Sequence, residues 1–371
     1  MSSTPPNLLA SSKHTTPIHL YQPTLKAVPS AISALLAEYS GIAPAEQKEH
    51  ITTVRDRAYA SYPYPCLGRW RFLELDLASH PLYGSEILPA LANTNTAHDS
   101  NDDTNNDTND GNDNDNDIDD DWIFLDLGCC LGQDLRKLIY DGADVRRLYG
   151  ADLNPEFIDI GYTLFGDQDR FSRNAHFIAP ADVFDFSETS ELSRRCDGRV
   201  AILHCTAVFH LFGLDEQKVL ARRCLRLLKS RSKWRTTASA SAAIPTQNQN
   251  HPRRALILGA QTANVRAGDY PRSRSGRMRY RHNEHSWRQF WEEAVAEDGW
   301  RDRIASVDVQ SVLVERTFGD SDGKGGGGGA DADAGADAGG ADAEPNNTQA
   351  QIGKVEEGFR WMKWWVWIDF V

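Results

Sequence analysis

Residues 122–134 read WIFLDLGCCLGQD, and this stretch decides the fold. An apolar run leads to Asp126, and a turn bounded by Gly128 and Gly132 follows before residues that favour a helix. A strand, a glycine turn and a helix N-terminus in this order present backbone N–H groups and the positive end of the helix dipole to a ligand. The stretch therefore predicts a nucleotide-type binding turn.

Strand-like and helix-like segments alternate after this turn. The strand-like runs are 147–152, 175–179, 199–205 and 255–261, and the helical segments lie near 133–141, 155–165 and 215–229. Alternation of this kind predicts a parallel sheet with helices on both faces.

The last part of the chain follows a different pattern. Residues 285–297 favour a helix, whereas 304–316 and the aromatic run 359–371 favour strands. No helix is expected between these two strands, because 319–350 is Gly/Ala/Asp low-complexity sequence. They are therefore predicted to pair as an antiparallel hairpin. Five parallel strands finished by such a hairpin form the Rossmann-like α/β sheet of class I methyltransferases, whereas a dinucleotide dehydrogenase would continue with parallel strands.

Biased segments divide the chain around this core. The predicted organisation is a flexible arm at 1–29, an N-terminal helical and flap region at 30–92, a disordered Asn/Asp-rich insertion at 93–121, a core at 122–318 with a low-complexity insertion at 231–253, a disordered loop at 319–350 and a final core strand within 351–371. The insertions cannot bury enough apolar surface to order themselves.

The flap itself is the aromatic segment 62–77, YPYPCLGRWRFLELDL. Its prolines at 63 and 65 exclude a regular helix at its start and favour extended backbone there. Its aromatic side chains are expected to pack against the core. They are also candidates to roof a substrate pocket.

The net charge of −13 over 371 residues is mostly local. Residues 93–121 carry eleven Asp and no Lys or Arg, and 319–350 carry six Asp and one Glu against a single Lys. The rest of the chain therefore stands at about +4, so the total charge argues neither for nucleic-acid binding nor for an acidic surface.

The six cysteines include no C-x-x-C pair, so neither a zinc site nor any other metal is predicted. The N-terminus lacks the hydrophobic core of a secretory signal. No apolar stretch approaches the roughly 20 residues that a membrane helix needs. A cytoplasmic protein without a membrane segment is expected.

The turn argues against a dinucleotide. In the G-x-G-x-x-G pattern, the second glycine lets a pyrophosphate approach the backbone, but here Cys130 occupies that position. Its side chain would crowd a pyrophosphate, whereas a ligand without phosphate, such as S-adenosylmethionine, is compatible. Cys129 and Cys130 are expected to be packing residues rather than redox centres or nucleophiles.

Two further acidic residues end later strands. Asp152, 26 positions after Asp126, is placed to accept hydrogen bonds from both ribose hydroxyls; the alternative is a helix N-cap ahead of Pro155. Asp182, with Val183 beside it, is placed to recognise the adenine amino edge while Val183 covers the ring; the alternative is an Asp that stabilises a turn. Together the three aspartates favour adenosylmethionine.

His204 and His210 follow the fourth strand, where substrate and methyl group are expected to meet. His204 is the candidate general base or positioning residue, because an imidazole titrates near neutral pH. For both histidines the alternative is a hydrogen-bonded side chain that lines or supports the cavity.

Several segments resemble the fungal methyltransferases of meroterpenoid biosynthesis, which form the methyl ester of a farnesylated aromatic carboxylic acid. They are YPYPCLGRWRFL, LDLGCCLGQDLRKL, YGADLNPEFIDIGYTLF, HLFGLDEQ and LILGAQTANV. The similarity runs from about residue 45 to about 300 and resumes at the C-terminal strand. The resemblance implies S-adenosylmethionine as cofactor, a small-molecule acceptor and a homodimer. The cofactor contacts that it implies are Asp126 with its turn (Gly128, Cys129, Gly132), Asp152 with Leu153, and Asp182 with Val183.

The acceptor decides whether a base is needed. A carboxylate is already nucleophilic at neutral pH, so alignment and desolvation suffice. A hydroxyl acceptor would need a base such as His204. Two alternatives stay open, an NAD(P)-dependent oxidoreductase and a non-catalytic regulator with the methyltransferase fold.

Overall fold

The computed structural model describes residues 21–92, 121–230, 254–271, 277–315 and 357–371. The insertions predicted at 231–253 and 319–350 lie outside the described residues, and so does the one at 93–121 apart from Asp121. In the described ranges, no helix is long and apolar enough to cross a bilayer.

A seven-stranded sheet forms the centre of the fold, and a two-stranded ribbon lies outside it. Nine strands are defined where the structure describes the chain: β1 (Ile123–Leu127), β2 (Leu148–Ala151), β3 (Phe177–Ile178), β4 (Val200–His204), β5 (Arg254–Asn264), β6 (Gly268–Pro271), β7 (Met278–Arg281), β8 (Ile304–Val314) and β9 (Phe359–Phe370). The order in the sheet is β3-β2-β1-β4-β5-β9-β8. Strands β1 to β5 pair in parallel, and β9 pairs antiparallel with both β5 and β8. The predicted sheet with its terminal hairpin is confirmed.

Ten helices are defined in the described residues. They are α1 (Ser30–Ala34), α2 (Pro44–Ser61), α3 (Pro65–Gly68), α4 (Leu88–Leu91), α5 (Gln133–Tyr140), α6 (Pro155–Phe165), α7 (Arg173–His176), α8 (Glu191–Cys196), α9 (Leu214–Leu227) and α10 (Glu284–Val295). Single π-helical turns follow α1 (Leu35–Tyr39) and precede α4 (Tyr83–Ile87), and 3-10 turns lie at Arg71–Leu73, Val145–Arg147 and Phe209–Leu211.

The helices cover both faces of the sheet, so the central strands are buried on both sides. All five residues of β1 and all five of β4 are buried. On one face, α9 and α10 contribute Leu220 and Trp287 to a cluster that includes Trp364 of β9. On the other, α2 and α6 pack together through Ile51 and Phe157.

Residues 21–29 depart from the predicted arm, which extended to residue 29. Leu25 is buried among the N-terminal helices, and the Arg55 side chain donates to the Gln22 carbonyl oxygen. The Arg55 guanidinium also stacks on the rings of Tyr21 and Trp70, with its carbon 4.2 and 3.6 Å from the two ring centres. These contacts attach the segment to the domain; residues 1–20 lie outside the described part of the chain.

Four elements have no counterpart among the predicted ones: the short helices α3, α7 and α8, and the ribbon of β6 with β7. The expectation that prolines exclude a regular helix at the start of the flap is wrong at Pro65, which begins α3, because proline fits the first turn of a helix. Arg279 and Arg281 of β7 are buried although charged, so the ribbon lacks the alternation of apolar and polar residues that marks a strand. Helix α8 is six residues long and is capped by Ser190, whose side chain accepts from the Ser193 amide.

Candidate active site

A cleft opens where β1, β2 and β4 end, at the carboxyl edge of the parallel strands. It encloses about 1170 Å³ including its solvent-open mouth. The predicted site residues that line it are Asp126, Gly128, Cys129, Asp152, Leu153, Asp182, Val183 and His204. Chain positions 126 to 204 therefore come together in one place.

The amides of the glycine turn point into the protein. Those of Gly128 and Cys129 both donate to the Ala151 carbonyl oxygen, at 2.8 and 3.1 Å. The Cys130 amide donates to Asp152 Oδ2 at 2.8 Å. The expectation that this turn presents its N–H groups to a ligand is wrong for these three, since β2 and the residue after it already use them. A pyrophosphate would find none of them free.

Gly132 differs from the other predicted site residues because it is not on the cleft wall. It adopts φ +67° at the start of α5, and a Cβ there would lie 2.4 Å from Arg136 Nη1. Arg136 in turn donates to the carbonyl oxygens of Leu131 and Gly132 and forms an ion pair with Asp167 at 2.9 Å, with both side chains fully buried. Because Gly132 has no side chain, the turn can pack directly against this ion pair.

Asp152 holds the loop and faces the cleft. Its Oδ2 accepts from Cys130, and its Oδ1 accepts from the Asn154 amide at 2.9 Å. Burial raises the pKa of Asp152 to about 6, although these two amides oppose the shift. The N-cap of α6 is Asn154, whose side chain accepts from Glu156 at 3.0 Å. The alternative of Asp152 as the helix cap is therefore wrong.

Asp182 stabilises a turn, as its alternative interpretation predicted, and it also lines the cleft. Its Oδ1 accepts from the Phe184 amide at 2.9 Å, which closes a tight Asx turn. Asp182 and Val183 are both half-buried in the cleft wall. The turn thus fixes the side chain without using its second oxygen in this bond.

A hydrogen-bonded chain lies at the bottom of the cleft. Asp126 and His204 are direct neighbours across β1 and β4, so both side chains leave the sheet on the same face. His204 Nδ1 lies 2.8 Å from Asp126 Oδ1, and Thr206 Oγ1 lies 2.8 Å from His204 Nε2. Thr206 Oγ1 also accepts from the Ala260 amide at 3.1 Å. His210 lies elsewhere: it is buried, and its Nδ1 accepts from Thr262.

The charges around His204 favour its protonated form. Burial alone would lower the pKa of His204, but the carboxylates of Asp126, Asp134 and Asp76 outweigh it and raise the pKa above 6.5. Asp134 titrates close to neutrality, since burial raises its pKa to about 7 while His204 opposes the shift. The surroundings of His204 therefore favour the imidazolium, and the nearby Asp134 carboxyl keeps its proton up to about neutral pH.

Asp126, Asp134 and His204 offer oxygen and nitrogen atoms within 4.8 Å of one another, a grouping that some metal sites share. Both ring nitrogens of His204 already have hydrogen-bond partners, however. The group therefore forms a hydrogen-bonded network.

Comparison with known proteins places the chain. Residues 20–73 match the model of the meroterpenoid methyltransferase N-terminal domain. O-methyltransferase phiE of a fungal species is 33% identical over 77% of this chain and 78% of its own length. Methyltransferase trt5 of Aspergillus terreus is 31% identical over 80% of this chain and 87% of its own length. The chain belongs to the S-adenosylmethionine-dependent fungal methyltransferases of meroterpenoid biosynthesis.

Other matches are more partial or more distant. Asnovolin E/Chermesin D methyltransferase nvfJ of Aspergillus novofumigatus is 35% identical over 53% of this methyltransferase and 58% of its own length. Among solved structures, the 1,6-didemethyltoxoflavin-N1-methyltransferase of Burkholderia thailandensis is 12% identical, with a TM-score of 0.34 over 67% of this chain and 71% of that one. The oxidoreductase alternative is wrong, because the family and the terminal hairpin both identify a methyltransferase.

The flap of this methyltransferase closes one side of the cleft. Its aromatic residues Tyr64 and Phe72 line the wall, in agreement with the prediction that aromatic side chains of the flap roof a pocket. Arg71 also lines the cleft; it stacks on Trp361 with its guanidinium carbon 3.9 Å from the ring centre and pairs with Asp76 at 3.1 Å. The flap is thereby attached to β9.

Four functional candidates were missed at the sequence level: Arg71, Asp76, Asp134 and Thr206. Asp134 is the last residue of the opening stretch and was assigned only to a helix, yet its Oδ1 accepts from the Leu77 amide of the flap at 3.1 Å. A buried aspartate in the first turn of a helix looks like an ordinary dipole partner in sequence. Only the packed flap distinguishes it.

Proposed function

We propose that this methyltransferase methylates an oxygen of a terpenoid or polyketide–terpenoid secondary metabolite and forms a methyl ester at a carboxylate. One relative is named an O-methyltransferase, and another is named for asnovolin E and chermesin D. The observation that carries the choice of a carboxylate is the Asp126–His204 pair at the bottom of the cleft. Carboxylates that raise the pKa of His204 disfavour the neutral imidazole that a general base requires, so the site suits an acceptor that is already ionised.

The charges of the cleft also tolerate an acceptor carboxylate. Asp126 is paired with His204, and Asp76 is paired with Arg71. Asp134, with a pKa of about 7, carries much less negative charge near neutrality than an ordinary aspartate. The acidic residues therefore leave little net repulsion, while Phe72 and other apolar residues of the wall suit a terpenoid body.

The residues present fit S-adenosylmethionine better than a phosphate-bearing ligand. The turn amides are used internally, and Asp152, which burial makes a stronger acceptor, faces the cleft where two ribose hydroxyls would supply donors. Asp182 and Val183 would hold the adenine, with Leu153, Gly128 and Cys129 along the wall. When bound, the cofactor supplies a sulfonium methyl group, so a carbon–oxygen bond forms as the carbon–sulfur bond breaks and its electron pair stays on sulfur.

The protein's own contribution is then positioning and exclusion of water. The flap covers the cleft with Tyr64 and Phe72, and its attachment to Asp134 through Leu77 holds it beside the reacting groups. Placing an ionised oxygen in line with the methyl group and removing its hydration supply several kcal/mol of barrier lowering, of the order that well-oriented reactions show.

Base lability of the product tests the ester directly. The protein is incubated with S-adenosyl-[methyl-¹⁴C]methionine and fungal culture extracts, and the labelled product is then treated with mild alkali. An ester releases its label as volatile methanol, whereas a methyl ether or a C-methyl group keeps it. Stable label would refute the carboxylate acceptor, and no labelled product from any extract would support the non-catalytic regulator.

Substitution of His204 tests whether methyl transfer to the acceptor needs a general base. Alanine would leave Asp126 buried without its partner, so His204→Asn is the better variant, because its amide can still donate near the Nδ1 position. With a carboxylate acceptor the single-turnover rate should fall by no more than about tenfold. Loss of a true general base costs on the order of 10² to 10⁴, and a fall of that size would contradict the proposal.

We also propose, from the family resemblance, a cytoplasmic homodimer. The edge strand β8 exposes Val312 and Val314, at 49% and 38%, and exposed apolar side chains on an edge strand are available for a contact between copies. Light scattering coupled to gel filtration tests this point; a monomer at micromolar concentration would refute it.

A further inference from the structure

We propose that the Thr206 hydroxyl is the group that donates a hydrogen bond to the acceptor's carboxylate, and that Asp126 and His204 are positioning residues that aim it. This inference rests on the proposed methyl-ester function and adds the residue that recognises the acceptor. Thr206 follows β4 directly and lines the cleft, half-buried, beside the end of the strand that carries His204.

The hydrogen-bond count at Thr206 leads to this role. A threonine hydroxyl has one proton to donate and two lone pairs that accept. One lone pair accepts from the Ala260 amide at 3.1 Å. The second faces His204 Nε2 at 2.8 Å. Asp126 occupies the Nδ1 side of the ring, so Nδ1 donates to Asp126. When the ring is protonated, the state that the neighbouring carboxylates and a bound acceptor carboxylate favour, Nε2 donates to Thr206.

Both lone pairs of Thr206 are then filled, so its own proton has no place in this chain of bonds and is directed toward the cleft. A ligand oxygen with free lone pairs completes the network, and a carboxylate oxygen does so most strongly, because hydrogen bonds to charged groups are the stronger ones. The carboxylates that raise the pKa of His204 lie on several elements: Asp126 on β1, Asp134 on α5 and Asp76 on the flap.

The alternative for Thr206 is purely structural: its oxygen accepts from Ala260, and it either accepts from His204 Nε2 or donates to it. That role needs the oxygen but not a donated proton into the cleft. It also predicts that loss of the hydroxyl acts through stability and cofactor binding, whereas a donor to the acceptor acts on methyl transfer at unchanged cofactor affinity.

Three substitutions separate these roles. Thr206→Val keeps the shape and removes the hydroxyl, Thr206→Ser keeps the hydroxyl without the methyl group, and Thr206→Cys matches the serine variant but carries only a weak donor. Each full-length variant is assayed for the initial rate of labelled, base-labile product from the same extract at saturating S-adenosylmethionine. S-adenosylhomocysteine affinity is measured by calorimetry and folding by thermal melting.

Thr206→Val should lose about 10- to 100-fold in rate, the usual worth of a hydrogen bond to a charged group, with S-adenosylhomocysteine affinity within about threefold of the parent. Thr206→Ser should stay within about fivefold, and Thr206→Cys should fall between the two. Should Thr206→Val fail to fold, the ordering of Ser above Cys decides. A rate for Val or Cys equal to that of the parent overturns the inference, and so does a loss in Ser as large as that in Cys.

The two proposals fail separately. A base-stable product from the parent protein refutes the methyl ester, whatever the variants do. A base-labile product that forms at full rate without the hydroxyl leaves the ester intact and refutes only the role of Thr206.

Discussion

Replacing Asp134 with asparagine is expected to raise the free energy of unfolding, relative to the parent chain, by more at pH 8 than at pH 5. Asp134 is 3% exposed, and burial raises its pKa from 3.8 to about 7. An acid whose pKa is raised by folding binds its proton more tightly in the native state. Its ionisation therefore opposes folding as pH rises from its unfolded pKa to its folded one. Asparagine has no such ionisation and keeps an oxygen for the Leu77 amide.

The size of the effect follows from the shift. Each pKa unit corresponds to about 1.4 kcal/mol, so the free energy of unfolding of the parent should lose about 4 kcal/mol between the unfolded and folded pKa values of Asp134. About 2 to 3 kcal/mol of this loss falls between pH 5 and pH 8. The Asp134 carboxylate also raises the pKa of His204. Stability that comes from a raised histidine pKa is present at low pH and lost as pH rises through it, so the two effects have the same sign.

Urea unfolding followed by tryptophan fluorescence at pH 5 and pH 8 measures the difference. The variant should gain about 2 to 3 kcal/mol on the parent between the two pH values. Asp215→Asn, at an exposed position in the first turn of α9, is the control for removing one acidic side chain. If the difference between Asp134→Asn and the parent were the same at both pH values, the burial argument would be refuted.

Three further substitutions test the proposed cofactor contact of Asp152 and the packing that holds the glycine turn. Asp152→Asn should weaken S-adenosylhomocysteine binding by at least about tenfold in calorimetry, since a carboxylate acceptor of hydrogen bonds is lost. Asp167→Ala should cost about 3 to 5 kcal/mol in urea unfolding, because it leaves Arg136 charged and fully buried without its partner. Gly161→Ala should lower both the melting temperature and S-adenosylhomocysteine affinity, because its Cβ would lie 2.3 Å from the Leu131 carbonyl oxygen and push the turn.

Matched controls exist for each of these changes. Asp159, on the exposed side of α6, pairs with Arg173 at the surface, so Asp159→Asn should leave cofactor affinity unchanged and Asp159→Ala should cost less than about 1 kcal/mol. A Cβ at Gly84 would meet nothing within 4 Å, so Gly84→Ala should leave cofactor affinity unchanged. Equal effects in test and control variants would contradict the assigned contacts.

The sheet was predictable because its signals are local. Alternating strands and helices indicate parallel pairing, and the absence of a helix-forming segment between the last two strands indicates a hairpin. The ribbon of β6 and β7 was missed since buried arginines, Arg279 and Arg281, conceal its pattern. In α8, six residues are too few to show helical periodicity.

The sequence predicted which residues line the site better than it predicted their hydrogen-bond partners. Strand ends in a parallel sheet share one edge, so Asp126, Asp152 and Asp182 could be grouped from their order alone. The sequence could not show that the turn amides are donated to β2 rather than to a ligand, or that Asn154 caps α6 in place of Asp152.

By itself, the sequence determined the strand–turn–helix around WIFLDLGCCLGQD, the parallel sheet with its hairpin, and the methyltransferase family, because these depend on residue types at fixed spacing. The tertiary structure decided the chemistry of the cleft. Register between β1 and β4 puts Asp126 against His204, and the docked flap buries Asp134. Burial and neighbouring charge set protonation, and both depend on segments far apart in the chain, such as positions 77, 134 and 204. No local pattern encodes them.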